Sequence, residues 1–242
     1  MIAILKKEIS NFFSSLIGYI IIVVFLIITG LFLWVFPDSS VLDSGYASLD
    51  SLFAIAPWIF MFLIPAVTMR SFAEEKKQGT IELLVTRPIT DTQLIFGKFL
   101  ANFFLVIISL LPTLLYYFTI YQLGEVKGNI DSGAFIGSFI GLLLLGGAFV
   151  AIGVYASSIT DNQIVAFTLS IFICFFCFQG FESISSLGIF GPVDNFIEQL
   201  GINAHYLSIS KGVLDTRDAI YFISLVLLFV LLTKITLGSR KW

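Results

Sequence analysis

Six stretches of this chain are apolar over about 20 residues each, the length of helix that crosses the hydrocarbon core of a bilayer. They span residues 16–36, 51–69, 99–121, 134–156, 164–181 and 219–237. The only charged side chain in them is Lys234, close enough to one end for its ammonium to reach the interface. In lipid, backbone amides must find partners within the protein, and an apolar run of this length does so as a helix. The composition agrees: 58% of the 242 residues are hydrophobic and 12% charged, with a mean hydropathy of +1.01. Soluble domains are about 45–50% apolar and about 25% charged. The expected fold is all-α, a polytopic membrane protein with six transmembrane helices in one domain over residues 1–242.

Orientation follows from the basic residues, which collect on the cytoplasmic side. With both termini inside, that side holds Lys6, Lys7, Arg70, Lys76, Lys77, Arg87, Lys98, Lys234, Arg240 and Lys241. Only Lys127, Lys211 and Arg217 fall outside, a ratio of ten to three that decides the topology. Acidic residues lean the other way, among them Asp38, Asp43, Asp50, Glu125, Asp131, Glu182, Asp194, Asp215 and Asp218.

The connections carry their own patterns. Lys6 and Lys7 precede an apolar run as in a signal peptide, but the run is too long and lacks a small-residue cleavage site, so it reads as a retained span. Residues 1–13 place Ile2, Leu5, Ile9, Phe12 and Phe13 along one helical face, which suits a short helix lying in the cytoplasmic interface. Residues 182–217, the longest external connection, contain Phe190, Phe196, Ile197 and Leu200 and are expected to form short helices against the membrane surface. Residues 157–163 make a tight hairpin between spans 4 and 5. Gly133, Gly137 and Gly141 repeat every four residues, a spacing that lets helices approach closely, and packing within the subunit is favoured over a subunit contact. Pro57, Pro65 and Pro112 are expected to kink spans 2 and 3.

Several chemistries are excluded by inventory. A net charge of −3 offers no footprint for nucleic acid. Cys174 and Cys177 have redox-like spacing, but Phe172, Phe175, Phe176 and Phe178 surround them, so they read as small buried hydrophobes. His205, the only histidine, falls in the external segment and reads as a solvated surface residue rather than a ligand. No acid or histidine lies mid-span to relay ions, which counts against a secondary transporter and an intramembrane hydrolase. The chain also lacks a G-x-x-x-x-G-K-[ST] phosphate loop. It is expected not to be an enzyme and to hold neither metal nor cofactor.

The segment between spans 2 and 3 reads SFAEEKKQGTIELLVTRPITDTQLIFGK from Ser71 to Lys98. Gly79 permits a turn after the charge cluster Glu74, Glu75, Lys76 and Lys77. Residues 80–85 make a short amphipathic run with Ile81, Leu84 and Val85 on one face, ended by Pro88. Thr90 and Gln93 form a capping box for the helix that continues into span 3. On spacing alone this is either a docking helix or a plain connection. The string closely resembles the segment after the second span in type-2 ABC exporter permeases, with Glu74, Glu75, Gly79, Thr80, Glu82, Leu83, Leu84, Pro88, Thr90, Gly97 and Lys98 at that family's spacing. The six-span plan, the interfacial helix and the external segment also agree.

The resemblance implies that Glu74, Glu75, Gly79, Thr80, Glu82, Leu83 and Leu84 form a coupling helix seated on a separate ABC ATPase dimer, which would bind the ATP and Mg²⁺. It further implies a bacterial inner-membrane location and pairing with a second permease chain. Within the family, residues 211–218 and 240–242 and the N-terminal KKEISNFFSSLIGYI look most like the permease associated with gliding motility, which implies a different permease as partner. A passive channel or membrane scaffold is the alternative.

Overall fold

The computed structural model describes residues 1–43, 45–80, 90–124, 128–188, 191–212 and 215–239, and of Ile17 and Pro192 the backbone only. Every regular element among them is helical. The spans are helices Leu16–Trp34, Asp50–Thr68, Asp91–Leu110 continued as Leu114–Leu123, Ser132–Ile159, Gln163–Phe175 continued through Phe181–Ser185, and Thr216–Gly238. Five of these are long and apolar enough to cross a membrane by themselves. The first qualifies only together with the amphipathic helix Ile2–Ser14, from which it bends by 68°. Extended backbone at Ser15 makes that bend, and Gly18 makes room for it, since a Cβ there would stand 2.7 Å from the Phe12 carbonyl oxygen.

Helix ends show how the interfaces are built. Four spans begin at a polar residue whose side chain accepts a backbone amide: Thr90 from Gln93, Asp131 from Ala134, Asn162 from Ile164, and Asp215 from Arg217. Amides at a helix start lack carbonyl partners, and these caps satisfy one each. Span 2 runs through Pro57 and Pro65 as one 28-residue stretch, Asp50–Lys77. Span 3 breaks at Pro112, where Leu111–Thr113 tightens into a 3₁₀ turn.

Span 4 is the centre, with 72% of its apolar window buried against 22% for spans 5 and 6. Its glycines explain that position. A Cβ at Gly137 would come within 2.9 Å of the Gly212 backbone, and one at Gly141 within 2.9 Å of the Ile209 side chain. Gly137 and Gly141 therefore pack inside the subunit, against Gly212 and the helix Ile202–Ser210. Asp194–Gln199 is another short helix of that segment, as expected from its apolar content.

On the N-terminal helix Ile2 is exposed and Ile4 is buried over Gly97 of span 3. One expectation is revised. His205 is not a solvated residue. Its ring stacks on Tyr221 at 3.9 Å, with Nδ1 at 2.6 Å from Asp218 Oδ1 and Nε2 at 2.9 Å from the Gln199 carbonyl. It ties the helix Ile202–Ser210 to the start of span 6.

Candidate functional site

Below Thr68 the second span continues as the short helix Arg70–Lys77. Met69, at its start, makes no side-chain cap. Ser157, near the end of span 4, takes that role. Its Oγ accepts from the amides of Phe72 at 2.9 Å and Ala73 at 3.1 Å and donates to the Met69 carbonyl at 2.9 Å. One residue on, the Ser158 carbonyl accepts from Lys76 Nζ. The short helix is thus fastened to span 4 in its first turn and near its end.

Its other side meets Lys98 of span 3. That ammonium is 1% exposed, lies 3.0 Å from Glu8 Oε1 and 2.9 Å from Glu75 Oε2, and donates to the Ser71 carbonyl at 2.5 Å. The Glu75 Oε2 contact is an ion pair set at a poor angle for hydrogen bonding. The Phe72 ring stands 5.1 Å from the same nitrogen. Lys7 reaches Glu75 Oε1 at 3.3 Å from the solvent side. Asn102, one turn further along span 3, donates to Ser71 Oγ at 3.0 Å and to the Lys98 carbonyl at 2.7 Å. Two ammonium groups thus balance two carboxylates, the condition under which buried charge is tolerated. The node joins three separate pieces of chain: the N-terminal helix, the segment after span 2 and the start of span 3.

The structure sorts the residues marked by the sequence. Glu75 turns inward to Lys98 and Lys7, while Glu74 stays half-buried beside Gln78. Gly79 has φ of +69°, a conformation that favours glycine, and directs the chain out of the helix. Thr80 Oγ1 reaches back to the Glu75 carbonyl at 3.4 Å. Glu82, Leu83 and Leu84 lie outside the described residues, with all of 81–89. Glu8, Ser71, Asn102 and Ser157 escaped the sequence reading. The one signal for them was a polar residue at an otherwise apolar helix boundary. The hairpin expected over residues 157–163 starts later, at Thr160, because Ser157 and Ser158 belong to the last turn of span 4, and that helix end is part of this site.

The described residues make an all-helical, polytopic membrane protein with this fastening on its basic face. Residues 35–236 match the family model described as ABC-2 family transporter protein, and the chain belongs to that family. It is the permease subunit of an ABC transporter and not itself the catalytic subunit. No curated protein matches it.

Proposed function

We propose that this permease converts ATP hydrolysis on a separate ATPase dimer into movement of its own spans, with residues 70–98 as the coupling element. The observation that supports this best is the buried node at Lys98. A push on Glu74, Gly79, Thr80, Glu82, Leu83 and Leu84 would be passed at once to span 3 and to the N-terminal helix, because one ammonium holds all three. ATP and Mg²⁺ belong to the partner, since this chain has no phosphate loop. Both termini face the cytoplasm of a bacterium, and the protein lies in its inner membrane. A second, different permease completes the membrane domain, and the sequence resemblance points to the gliding-motility-associated complex.

Single-cysteine labelling checks the topology, in a background lacking Cys174 and Cys177. An impermeant reagent added to intact cells is expected to reach cysteines at Asp43, Asn129 and Asn195 and to miss those at Lys77 and Asp161. Labelling at position 77 without disruption would reverse the orientation.

Docking is checked by pull-down of the ATPase at two salt concentrations. Leu84→Ala is expected to weaken binding at both, by about 1–3 kcal/mol for one buried apolar side chain. Glu82→Lys is expected to act mainly at low salt, where screening is least. A passive channel or scaffold would show no ATPase binding, in the wild type or in either variant.

A further inference from the structure

On the acidic face, opposite the coupling element, a cavity of about 620 Å³ lies between spans 2 and 5 beneath the helix Ile202–Ser210. Its floor is aromatic. Phe178, 3% exposed, meets Trp58 edge-on at 5.7 Å, Phe149 at 6.2 Å and Tyr206 at 6.4 Å. The Tyr206 hydroxyl donates to the Phe53 carbonyl at 2.6 Å, which fastens one wall to span 2. The rim is polar, with Asp50, Gln179, Asn203, Ser210 and Lys211.

Two features make this more than a gap between helices. The first is a π-helical turn, Phe176–Gly180, in the wall supplied by span 5. Such turns are rare and concentrate at functional sites, and here consecutive residues, Phe178 of the floor and Gln179 of the rim, both line the cavity. The second is the use made of Glu182. Its Oε2 accepts from Gln179 Nε2 at 3.1 Å and from Asn203 Nδ2 at 2.6 Å. A carboxylate only accepts, so both amide nitrogens are committed there and each amide leaves its carbonyl oxygen for a donor. With the Asp50 carboxylate, the rim becomes a set of acceptors suited to an ammonium, and Lys211 beside it suits an anion. From Asp50 to Trp58 the helix descends roughly 12 Å, so charge lies above and aromatic surface below.

We propose that this cavity binds an amphiphile with an aminoalkyl phosphate head, its ammonium on Asp50 and the amide oxygens of Gln179 and Asn203, its phosphate on Lys211 and its upper tail against Trp58 and Phe178. Phosphatidylethanolamine of the adjoining leaflet carries that head, as does soluble phosphoethanolamine. The site depends on the membrane fold alone. Failure of ATP coupling would leave it standing, and its own failure would leave coupling untouched.

The test uses the full chain with Trp34→Phe and Trp242→Phe, so that Trp58 is the sole indole, in nanodiscs of phosphatidylglycerol with increasing phosphatidylethanolamine. Trp58 emission is expected to shift saturably with the ethanolamine lipid, and native mass spectrometry should show it retained about tenfold over phosphatidylglycerol, the worth of one charge-assisted contact. Asp50→Asn, at an exposed position, should bring that preference close to one, whereas Lys211→Gln, also exposed, should weaken retention of both lipids and leave the preference in place, because both carry the phosphate. Phosphoethanolamine added to phosphatidylglycerol nanodiscs identifies the source. The same shift at comparable concentration assigns the site to a soluble ligand, and a shift with the lipid alone assigns it to the bilayer. Equal retention of the two lipids in the wild type, an unchanged preference in Asp50→Asn, or undiminished retention of both lipids in Lys211→Gln overturns the proposal.

Discussion

Lys98→Met is expected to destabilise the permease by about 3–5 kcal/mol and to abolish stimulation of the partner ATPase, because it leaves two mostly buried carboxylates with only Lys7 between them. Glu8 and Glu75 have side chains 14% and 11% exposed, so water can solvate neither well once the ammonium is gone. Methionine fills much of the lysine's volume, which makes the loss electrostatic rather than a cavity effect. The triple variant Lys98→Met, Glu8→Gln, Glu75→Gln separates folding from coupling. With no charge stranded, most of the stability should return, whereas the ties between the three segments should not. Thermal unfolding of the purified subunit and ATPase activity of the reconstituted complex read the two effects. A single variant with wild-type stability and full activity would show that the node is incidental to both.

Gly153→Val is expected to be comparably severe through sterics. A Cβ at Gly153 would overlap Thr68 Oγ1 and stand 2.8 Å from Thr68 Cβ, where spans 2 and 4 cross. The Thr68 hydroxyl already donates to the Ile64 carbonyl at 2.9 Å. Overpacking a tight contact by even one methyl costs about 1–3 kcal/mol, and valine adds two more carbons. The consequence reaches the coupling segment. Ser157 lies one turn beyond Gly153 on the same face, so forcing the spans apart withdraws its hydroxyl from the amides of Phe72 and Ala73. Gly153→Ala is the milder probe, and combining it with Thr68→Ala should recover part of the loss, since two of the three clashing atoms disappear. Thermal unfolding and ATPase pull-down measure both ends of the effect. Unfolding of Gly153→Val at the wild-type temperature would contradict the close crossing.

What could be read from the chain was whatever depends on neighbours in sequence. Apolar runs marked the long helices, although those of spans 2 and 3 extend eight residues past the apolar stretch, to Lys77 and back to Asp91. Thr90 marked the start of span 3 because a cap acts over three residues. The glycine spacing of span 4 announced a close contact, although not that Gly212 and Ile209 would fill it. At Glu75 the reading ended sooner. Its motif marked the residue, but nothing local indicated that the carboxylate turns inward.

The sequence by itself determined the solvent, the helical class, the division into a basic and an acidic face, and the segment to suspect. Each follows from periodicity, length or charge counted along the chain. Tertiary structure alone decided that Lys98 is buried among Glu8, Glu75 and the Ser71 carbonyl, that Ser157 caps a helix more than 80 residues away, and that His205 braces span 6. The Lys98 and Ser157 contacts join residues 27 to 90 positions apart. A lone polar residue at a membrane boundary is equally compatible with water and with a distant partner. Only the packing of spans 2, 3 and 4, set by glycines that let them approach, removes the water and leaves the partner.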